Sequence, residues 1–136
     1  GGDHALTAVV IIAGTNDLAQ SFSPDEIADS VLGLHEIAHE AGVRSISVDI
    51  PESAAAKRFH EYDEMREQVN AKLLSSSLQH PMRTHLPCPV PYRFSGEEGG
   101  DLWEDDGLHM SGPGYEALGR GLAPMVADVL RSWGAV

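Results

Sequence analysis

The first half of the chain starts with a continuous apolar run and then changes to a helical pattern. Residues 8–13 are all apolar and mostly β-branched, which is typical of a parallel-sheet strand buried on both faces. The run ends at residues 14–17, Gly-Thr-Asn-Asp, a sequence that favours a turn. Ser23, Pro24 and Glu26 then form the pattern of a helix N-terminus. The predicted inner face of this helix consists of Ile27, Val31, Leu34, Ala38 and Ala41.

A second strand and a second helix follow in the same order. Residues 45–50 alternate between polar and apolar, with Ile46, Val48 and Ile50 on one side, and Pro51 ends the predicted strand. The second helix is predicted from apolar residues at helical spacing, which are Phe59, Tyr62, Met65, Val69 and Leu73.

The last third of the chain predicts one more strand and a closing helix. Residues 83–90 indicate a short or edge strand, because Pro87 and Pro89 cannot donate backbone hydrogen bonds. Residues 115–133 predict a helix, which Pro124 should kink. Its predicted inner face consists of Leu118, Leu122, Val126, Val129 and Trp133.

This alternation of strands and helices predicts an α/β domain with a parallel sheet. The 136 residues fit one domain, spanning residues 1–136. Three strands make a narrow sheet, yet the apolar pattern of residues 8–13 calls for neighbours on both edges. We therefore expect the first strand to need a pairing partner beyond the three predicted strands.

Charge and composition exclude some partners. Lys and Arg total 9 and Asp and Glu total 21, so the formal net charge is −12. A surface with this charge repels nucleic acid and anionic membranes, and we expect neither as a partner. No apolar run approaches the length of a membrane span, so none is predicted. The single cysteine, Cys88, excludes an internal disulfide.

Two polar segments near opposite ends of the chain contain the residue types that acyl transfer needs. His109 suits removal of a proton from a hydroxyl at neutral pH, and Asp106 has the spacing to accept a hydrogen bond from its ring. Asn16 follows the first strand, where sites form in parallel sheets, and its amide can donate to a developing oxyanion. Gly14 leaves room for substrate beside the backbone.

The same residues also have simpler interpretations. Asn16 and Asp17 favour turns for local hydrogen-bonding reasons, and Asp17 is as well explained by a structural role. Asp106 and His109 fit a solvated loop that caps the next helix. Met110 and Tyr115 are expected to pack rather than to recognise a ligand.

Together the two segments resemble conserved blocks of the SGNH (GDSL) hydrolase family. The Gly14-x-Asn16-Asp17 segment is similar to the third block, and Asp106-x-x-His109 is similar to the fifth. Residues 38–51 resemble the helix and strand that usually lie between them. The resemblance implies a flavodoxin-like, three-layer α/β/α sandwich and hydrolysis of a small-molecule ester by acyl transfer. It implies His109 as base, Asp106 as acid and Asn16 as oxyanion donor, without a metal or organic cofactor.

The resemblance does not extend to the blocks that contain the nucleophile. The family's Gly-Asp-Ser segment and its oxyanion glycine should precede the strand at residues 8–13, where this chain has no serine. A missing N-terminal segment would explain both this gap and the narrow sheet. We therefore expect the chain alone to be inactive or nearly so. The attacking serine stays unidentified, and Ser21, Ser23 and Ser111 are the local candidates, although Ser23 and Ser111 are better explained as helix caps.

Two alternatives remain open. The chain is either an enzyme component or a catalytically inactive module that binds a ligand or forms a homodimer, using the uncovered edge of the first strand. A minor alternative is a zinc site, because His35-Glu36-x-x-His39 matches a zinc-protease pattern. A helical wheel places His35 at the edge of the inner face and both Glu36 and His39 outside it, and a third ligand is missing. The other histidines are expected in solvent, namely His4, His60, His80 and His85.

Overall fold

A computed structural model describes residues 5–135, so His4 lies outside the described residues. In chain order the elements are β1 (Ala8–Ile11), α1 (Thr15–Ala19), α2 (Pro24–Glu40), β2 (Arg44–Val48), α3 (Ala54–Arg58), α4 (His60–Ser77), β3 (Arg83–Leu86), a 3-10 helix (Gly100–Leu102) and α5 (Gly112–Ser132). None of the described helices has the length and apolar character needed to cross a membrane.

The three strands form one sheet in the order β1–β2–β3, and both strand pairs are parallel. The register places Ile46 of β2 between Val10 of β1 and Thr84 of β3. This arrangement confirms the predicted α/β class with a parallel sheet. β3 ends at Leu86, directly before Pro87, whose ring nitrogen cannot donate to a neighbouring strand.

β1 lies at an edge of the sheet, and the prediction that it is buried on both faces is wrong. Within residues 5–135 it pairs only with β2, and Val10 is 44% exposed. Ile12, just beyond the strand, is 40% exposed. The fully buried strand is β2, in which Ser45 and Ile46 are completely shielded from solvent. The apolar composition of β1 therefore belongs to a strand whose outer edge is uncovered.

The starts of α2 and α5 follow the predicted capping chemistry. The Ser23 hydroxyl accepts from the Glu26 N–H at 3.2 Å, and the Glu26 carboxylate accepts from the Ser23 N–H at 3.1 Å. The Ser111 hydroxyl accepts from the Gly114 N–H at 3.2 Å and caps α5. α5 then continues through Pro124 to its end. Both caps fix where the chain enters a helix next to the candidate site.

The buried face of α2 differs from the predicted one. His35, predicted at the edge of that face, is completely buried, whereas Leu34, predicted inside, is 46% exposed. Nδ1 of His35 lies 2.6 Å from the Ser45 hydroxyl, and Nε2 of His39 lies 2.9 Å from the same oxygen. Compared with the predicted orientation, α2 is rotated about its axis so that His35 and His39 face Ser45 of β2. The helix takes this orientation because the Ser45 hydroxyl can hydrogen-bond to both rings. A helical wheel that considers only apolar positions therefore does not predict this orientation of α2.

Two helices occupy the region where a single one was predicted. α3 is capped by Ser53, whose hydroxyl accepts from the Ala56 N–H at 3.2 Å. Phe59 separates α3 from α4 and is exposed, so its predicted inner position is wrong. Val69 and Leu73 of α4 are buried as predicted. The short helix was missed because its sequence has no apolar periodicity.

Two histidines expected in solvent are packed against other side chains. The His85 side chain is only 4% exposed, and its Nδ1 and Nε2 lie 2.7 Å from the Ser47 hydroxyl and 2.6 Å from the Asp49 carboxylate. The His80 ring stacks on His39, with ring centroids 4.5 Å apart. The His85 contact arises because the parallel register pairs Ser47 of β2 with His85 of β3, which puts both side chains on the same face of the sheet.

Two apolar clusters hold the fold together on either side of the candidate site. The first core cluster joins α1, α2, α4 and the end of β2 through Leu18, Ile27, Ala28, Val31, Ile50, Val69 and Leu73. The second core cluster lies beneath the loop before α5 and contains Val90, Tyr92, Trp103 and Met110. The first core cluster packs against the polar segment at residues 14–17, and the second packs beside the polar segment at residues 106–109.

Candidate active site

The first half of the site is the turn that follows β1. Gly14 has a φ of 116°, a left-handed conformation that other residues rarely adopt. A Cβ at this position would lie only 2.7 Å from Cδ1 of Ile50 and 3.3 Å from Cγ2 of Ile27, in the first core cluster. The glycine lets the backbone pack closely on this cluster. The next two residues start α1, with Thr15 half-buried and Asn16 exposed.

The second half is the turn from Asp106 to His109. One carboxylate oxygen of Asp106 accepts from the backbone N–H groups of Leu108 and His109, both at 2.9 Å. The other oxygen lies 2.5 Å from Nδ1 of the His109 ring. The spacing of three residues thus closes a small turn in which the carboxylate holds both the backbone and the imidazole. This arrangement matches the acid–base pair that the sequence predicts.

Contacts outside the turn fix its position. The His109 carbonyl accepts from the Glu104 N–H at 2.8 Å, and the Gly107 carbonyl accepts from the Ala54 N–H at 2.8 Å. Gly107 has a φ of 70°, and a Cβ there would lie 2.6 Å from the Ala54 Cβ. The Ser111 hydroxyl donates to the Asp101 carbonyl at 2.7 Å. The imidazole therefore projects from a turn that is tied to three neighbouring segments.

Hydrogen bonds keep the Asp106 carboxylate ionised and determine which ring nitrogen of His109 carries a proton. The hydrogen bond from the His109 ring, followed by those from the backbone N–H groups of His109 and Leu108, lowers the pKa of Asp106 to about 2. An ionised carboxylate only accepts hydrogen bonds, so Nδ1 of His109 carries the proton. In the neutral ring Nε2 is then the nitrogen that can take a proton from a hydroxyl.

The two halves meet at one cavity of about 540 Å³. Its polar lining consists of Thr15, Asn16, Asp17 and His109, and Gly14 contributes backbone. The structure therefore brings together the residues predicted as base and oxyanion donor, with Asp106 hydrogen-bonded behind the base. Their catalytic roles stay a prediction.

The remaining wall of the cavity is apolar and was missed by the sequence analysis. It includes Ile12, Trp103, Leu108, Met110, Tyr115 and Leu118. Met110 is buried in the second core cluster as expected, yet it also borders the cavity. Tyr115, expected to pack, is exposed at the cavity rim. No local motif marks these positions, because they meet only where the loop before α5 folds back.

None of the local serine candidates lines this cavity. Ser23 and Ser111 cap α2 and α5, as described above. Ser21 lies in a separate depression beside Leu18 and Phe59, with a φ of 62°. Among the described residues, the hydroxyl groups that line the cavity belong to Thr15 and Tyr115.

The histidine pair of the zinc alternative has other partners. His35 and His39 both contact the Ser45 hydroxyl, and Glu36 is exposed. In the stretch from residue 5 to residue 135, no group of three His, Cys, Asp or Glu side chains is placed to hold a metal ion. The zinc alternative therefore lacks a third ligand within the described part of the chain.

Comparison with known proteins adds information about the fold. No protein-family model matches the chain, and no curated protein sequence matches it. The fold is similar to a solved structure from Streptococcus pneumonia described as a "putative platelet activating factor", with a TM-score of 0.67 and 19% sequence identity. The match covers 92% of this chain but 61% of the solved chain. At this identity the similarity supports the α/β fold and carries no residue-level assignment.

Proposed function

We propose that this chain contains the acid, the base and an oxyanion donor of a serine ester hydrolase of the SGNH (GDSL) type. The observation that carries the proposal is the shared cavity, which Asn16 and His109 line although they lie far apart in sequence. The hydrogen bond from His109 to Asp106 adds the orientation that a base requires. The similarity to a solved structure with a TM-score of 0.67 supports the α/β fold on which the proposal relies.

In the proposed mechanism, a serine hydroxyl attacks the ester carbonyl. Nε2 of His109 takes the serine proton, and the Asp106 carboxylate stabilises the resulting imidazolium. The Asn16 amide donates to the negatively charged carbonyl oxygen of the tetrahedral intermediate. His109 then gives the proton to the departing alcohol, and water releases the acyl group by the same steps in reverse order.

The nucleophile comes from a polypeptide segment that pairs with β1. This part of the proposal is supported by the lack of a serine among the described cavity-lining residues and by the uncovered edge of β1. An added parallel strand would widen the sheet toward the three-layer α/β/α sandwich. The contact of Arg44 with the Trp133 carbonyl at 3.3 Å, on the face opposite Ser45, is compatible with helices on both sides of the sheet.

A second candidate function is an inactive module that binds a ligand or a second copy of itself. The exposure of Val10 and Ile12 along the edge of β1 favours this candidate. It differs from the first in requiring no proton transfer at His109. The two candidates are therefore separated by whether this imidazole accelerates ester cleavage.

The experiment is p-nitrophenyl acetate hydrolysis by the purified chain. Residual catalysis persists in serine hydrolases after loss of one triad member, through the oxyanion site and substrate binding. Without the serine, His109 would act as general base on an attacking water, so we expect slow turnover that falls at least about tenfold in His109→Ala, to the level that the oxyanion site and substrate binding still support. The matched control is His60→Ala, which removes an exposed imidazole that lies 3.4 Å from the Glu64 carboxylate on α4, and it should leave turnover unchanged.

Equal losses in the two histidine variants would contradict the proposal, because any surface imidazole would then suffice. Loss of turnover in Ser21→Ala, Ser23→Ala or Ser111→Ala would contradict the assignment of the nucleophile to another segment. Turnover above the uncatalysed rate that is unchanged in His109→Ala would favour the binding module.

A further inference from the structure

We propose that the cavity binds the aliphatic chain of an uncharged ester, so that the substrate class is neutral esters with an extended acyl or alcohol group. The assignment of the bound chain to an ester rests on the proposed function. The binding of an uncharged aliphatic chain rests on the cavity itself. The cavity's shape, lining and charge each support the proposal.

The polar lining of the cavity comes mainly from the turn after β1, and the larger apolar side chains come mainly from the loop before α5 and from α5. The other polar groups are the His109 imidazole and the Tyr115 hydroxyl. Trp103, Met110 and Leu118 come from the second core cluster and from the part of α5 packed on it. A carbonyl beside Asn16 and His109 would therefore have its aliphatic substituent against this apolar wall, as ligand sites with few polar groups commonly arrange.

The size of the cavity exceeds what an acetyl group requires. Its volume of about 540 Å³ lies within the range typical of small-molecule sites. Each methylene moved from water to an apolar wall tightens binding by about threefold to fourfold. An extended chain would therefore bind more tightly than a short one until the wall is covered.

The charges around the cavity select against anions. Among the described residues that line it, Asp17 is the only one with a carboxylate, and none is a Lys or Arg. Asp105 and Asp106 are exposed beside His109, and the whole chain carries a formal charge of −12. A ligand with a carboxylate or phosphate would lack a cationic partner there and would be repelled, whereas a neutral carbonyl compound would not.

Trp103 allows binding to be measured without catalysis. It is 6% exposed, lines the cavity and donates its indole N–H to the Pro91 carbonyl at 3.0 Å. The other tryptophan, Trp133, lies at the end of α5, so Trp133→Phe leaves one indole as the probe. The ligands are butanone, 2-hexanone and 2-octanone, which have a carbonyl but no cleavable ester, and octanoate is the charged counterpart of the longest.

We expect the dissociation constant from Trp103 fluorescence to fall about threefold to fourfold per added methylene, and octanoate to bind at least about tenfold more weakly than 2-octanone. Leu118→Gln should weaken ketone binding several-fold. Leu130→Gln, which changes another half-buried leucine of α5 outside the cavity lining, should not. Circular dichroism melts establish that both variants are folded.

The inference is overturned if affinity does not depend on chain length, if octanoate binds as tightly as 2-octanone, or if the two leucine variants behave alike. His109→Ala separates this inference from the proposed function. Ketone binding that survives in His109→Ala, in a chain whose ester turnover is the same with and without His109, would support the apolar ligand site and contradict the hydrolase. Ester turnover with no chain-length preference would contradict only the inferred substrate class.

Discussion

Gly14 connects the candidate site to the core through its backbone. Its φ of 116° and the nearness of Ile50 exclude a side chain on two independent grounds. The position of its missing Cβ faces the first core cluster, so the glycine lets the turn pack there, and its role in making room for a substrate beside Asn16 stays a prediction. A change at Gly14 is expected to affect stability and the site together.

We predict that Gly14→Ala lowers the free energy of unfolding by about 1–3 kcal/mol, because a Cβ would be strained and would collide with Ile50. Urea denaturation measures this quantity. The matched control is Gly33→Ala within α2, where a Cβ meets nothing within 4 Å. That change should be neutral or stabilise by up to about 1 kcal/mol. Similar losses in both variants would show that the Gly14 conformation is not required.

Single residues of the site differ in how far the sequence predicts them. Asp106 and His109 were predictable because their contact spans three residues and depends only on a local turn. That Asn16 lies at a candidate site was predictable from the rule that sites form at the carboxyl ends of parallel strands, whereas a cavity shared with His109 was expected only from the family resemblance. Trp103 and Leu118 were not predictable as cavity residues, because their placement depends on how an irregular loop packs against α5.

At the scale of elements, the contact of α2 with the sheet is polar at its centre. His35, His39 and Ser45 meet in a buried cluster, in which His35 Nε2 and His39 Nδ1 have no hydrogen-bond partner within the described part of the chain. Burial and then the nearby positive charge of Arg83 lower the pKa of His35 to about 4. Burial also lowers the pKa of His39. Both imidazoles are therefore held neutral in the folded protein.

This cluster predicts a loss of stability in acid. His35 binds a proton in the unfolded chain near its ordinary pKa of 6.5 but in the folded protein only near 4, so its contribution is present above pH 6.5 and is lost as the pH falls to 4. We expect the free energy of unfolding to fall by about 2–3 kcal/mol over this interval. Urea denaturation between pH 7 and pH 4 measures the change.

The variant His35→Gln keeps a polar side chain without a titrating ring, and its stability should depend less steeply on pH than that of the wild type. His60→Gln, which changes an exposed histidine of α4 with 86% of its side chain in solvent, should keep the wild-type slope. The account of the α2 contact is wrong if both variants keep that slope.

The rotation of α2 about its own axis is the property of this helix that was predicted wrongly. Its start was predicted correctly, because capping by Ser23 depends on local chemistry. Its rotation was not, because the helical wheel weighs Leu34 above His35 on apolar character alone. The alternation in β2 carried the missing information, since a serine facing a helix can be satisfied by a histidine.

At the scale of the whole molecule, the exposed edge of β1 is the feature that most directly affects self-association. An apolar strand with unpaired backbone groups favours pairing with another strand. The formal charge of −12 opposes contact between copies, and salt screens that repulsion. The edge and the charge therefore act in opposite directions on self-association.

We predict self-association that increases with protein concentration and with ionic strength, measured by sedimentation velocity. Val10→Lys places a charge on the exposed edge strand and should shift the distribution toward monomer. Glu64→Lys makes a charge change on the exposed face of α4 and should retain the salt-dependent association. A wild-type chain that stays monomeric at all concentrations, with a cooperative melt, would contradict the need for a pairing strand.

The α/β class and the order of the three strands and the three long helices followed from the sequence, because each of these elements has its own local pattern. The sheet position of the strands did not follow, because residues 8–13 have the composition of a central strand while β1 lies at an edge. The apolar composition of a strand indicates that the strand can be buried between two others, but it does not determine how many strands pair with it.

The most direct test of the central claim is a double-mutant cycle on p-nitrophenyl acetate turnover with Asn16→Ala and His109→Ala. If both side chains act on one bound ester in the shared cavity, each single change lowers the rate by at least about tenfold, and the double variant loses less than the product of the two single losses. Turnover that falls in His109→Ala but is unchanged in Asn16→Ala would contradict the claim that the two turns form one active site.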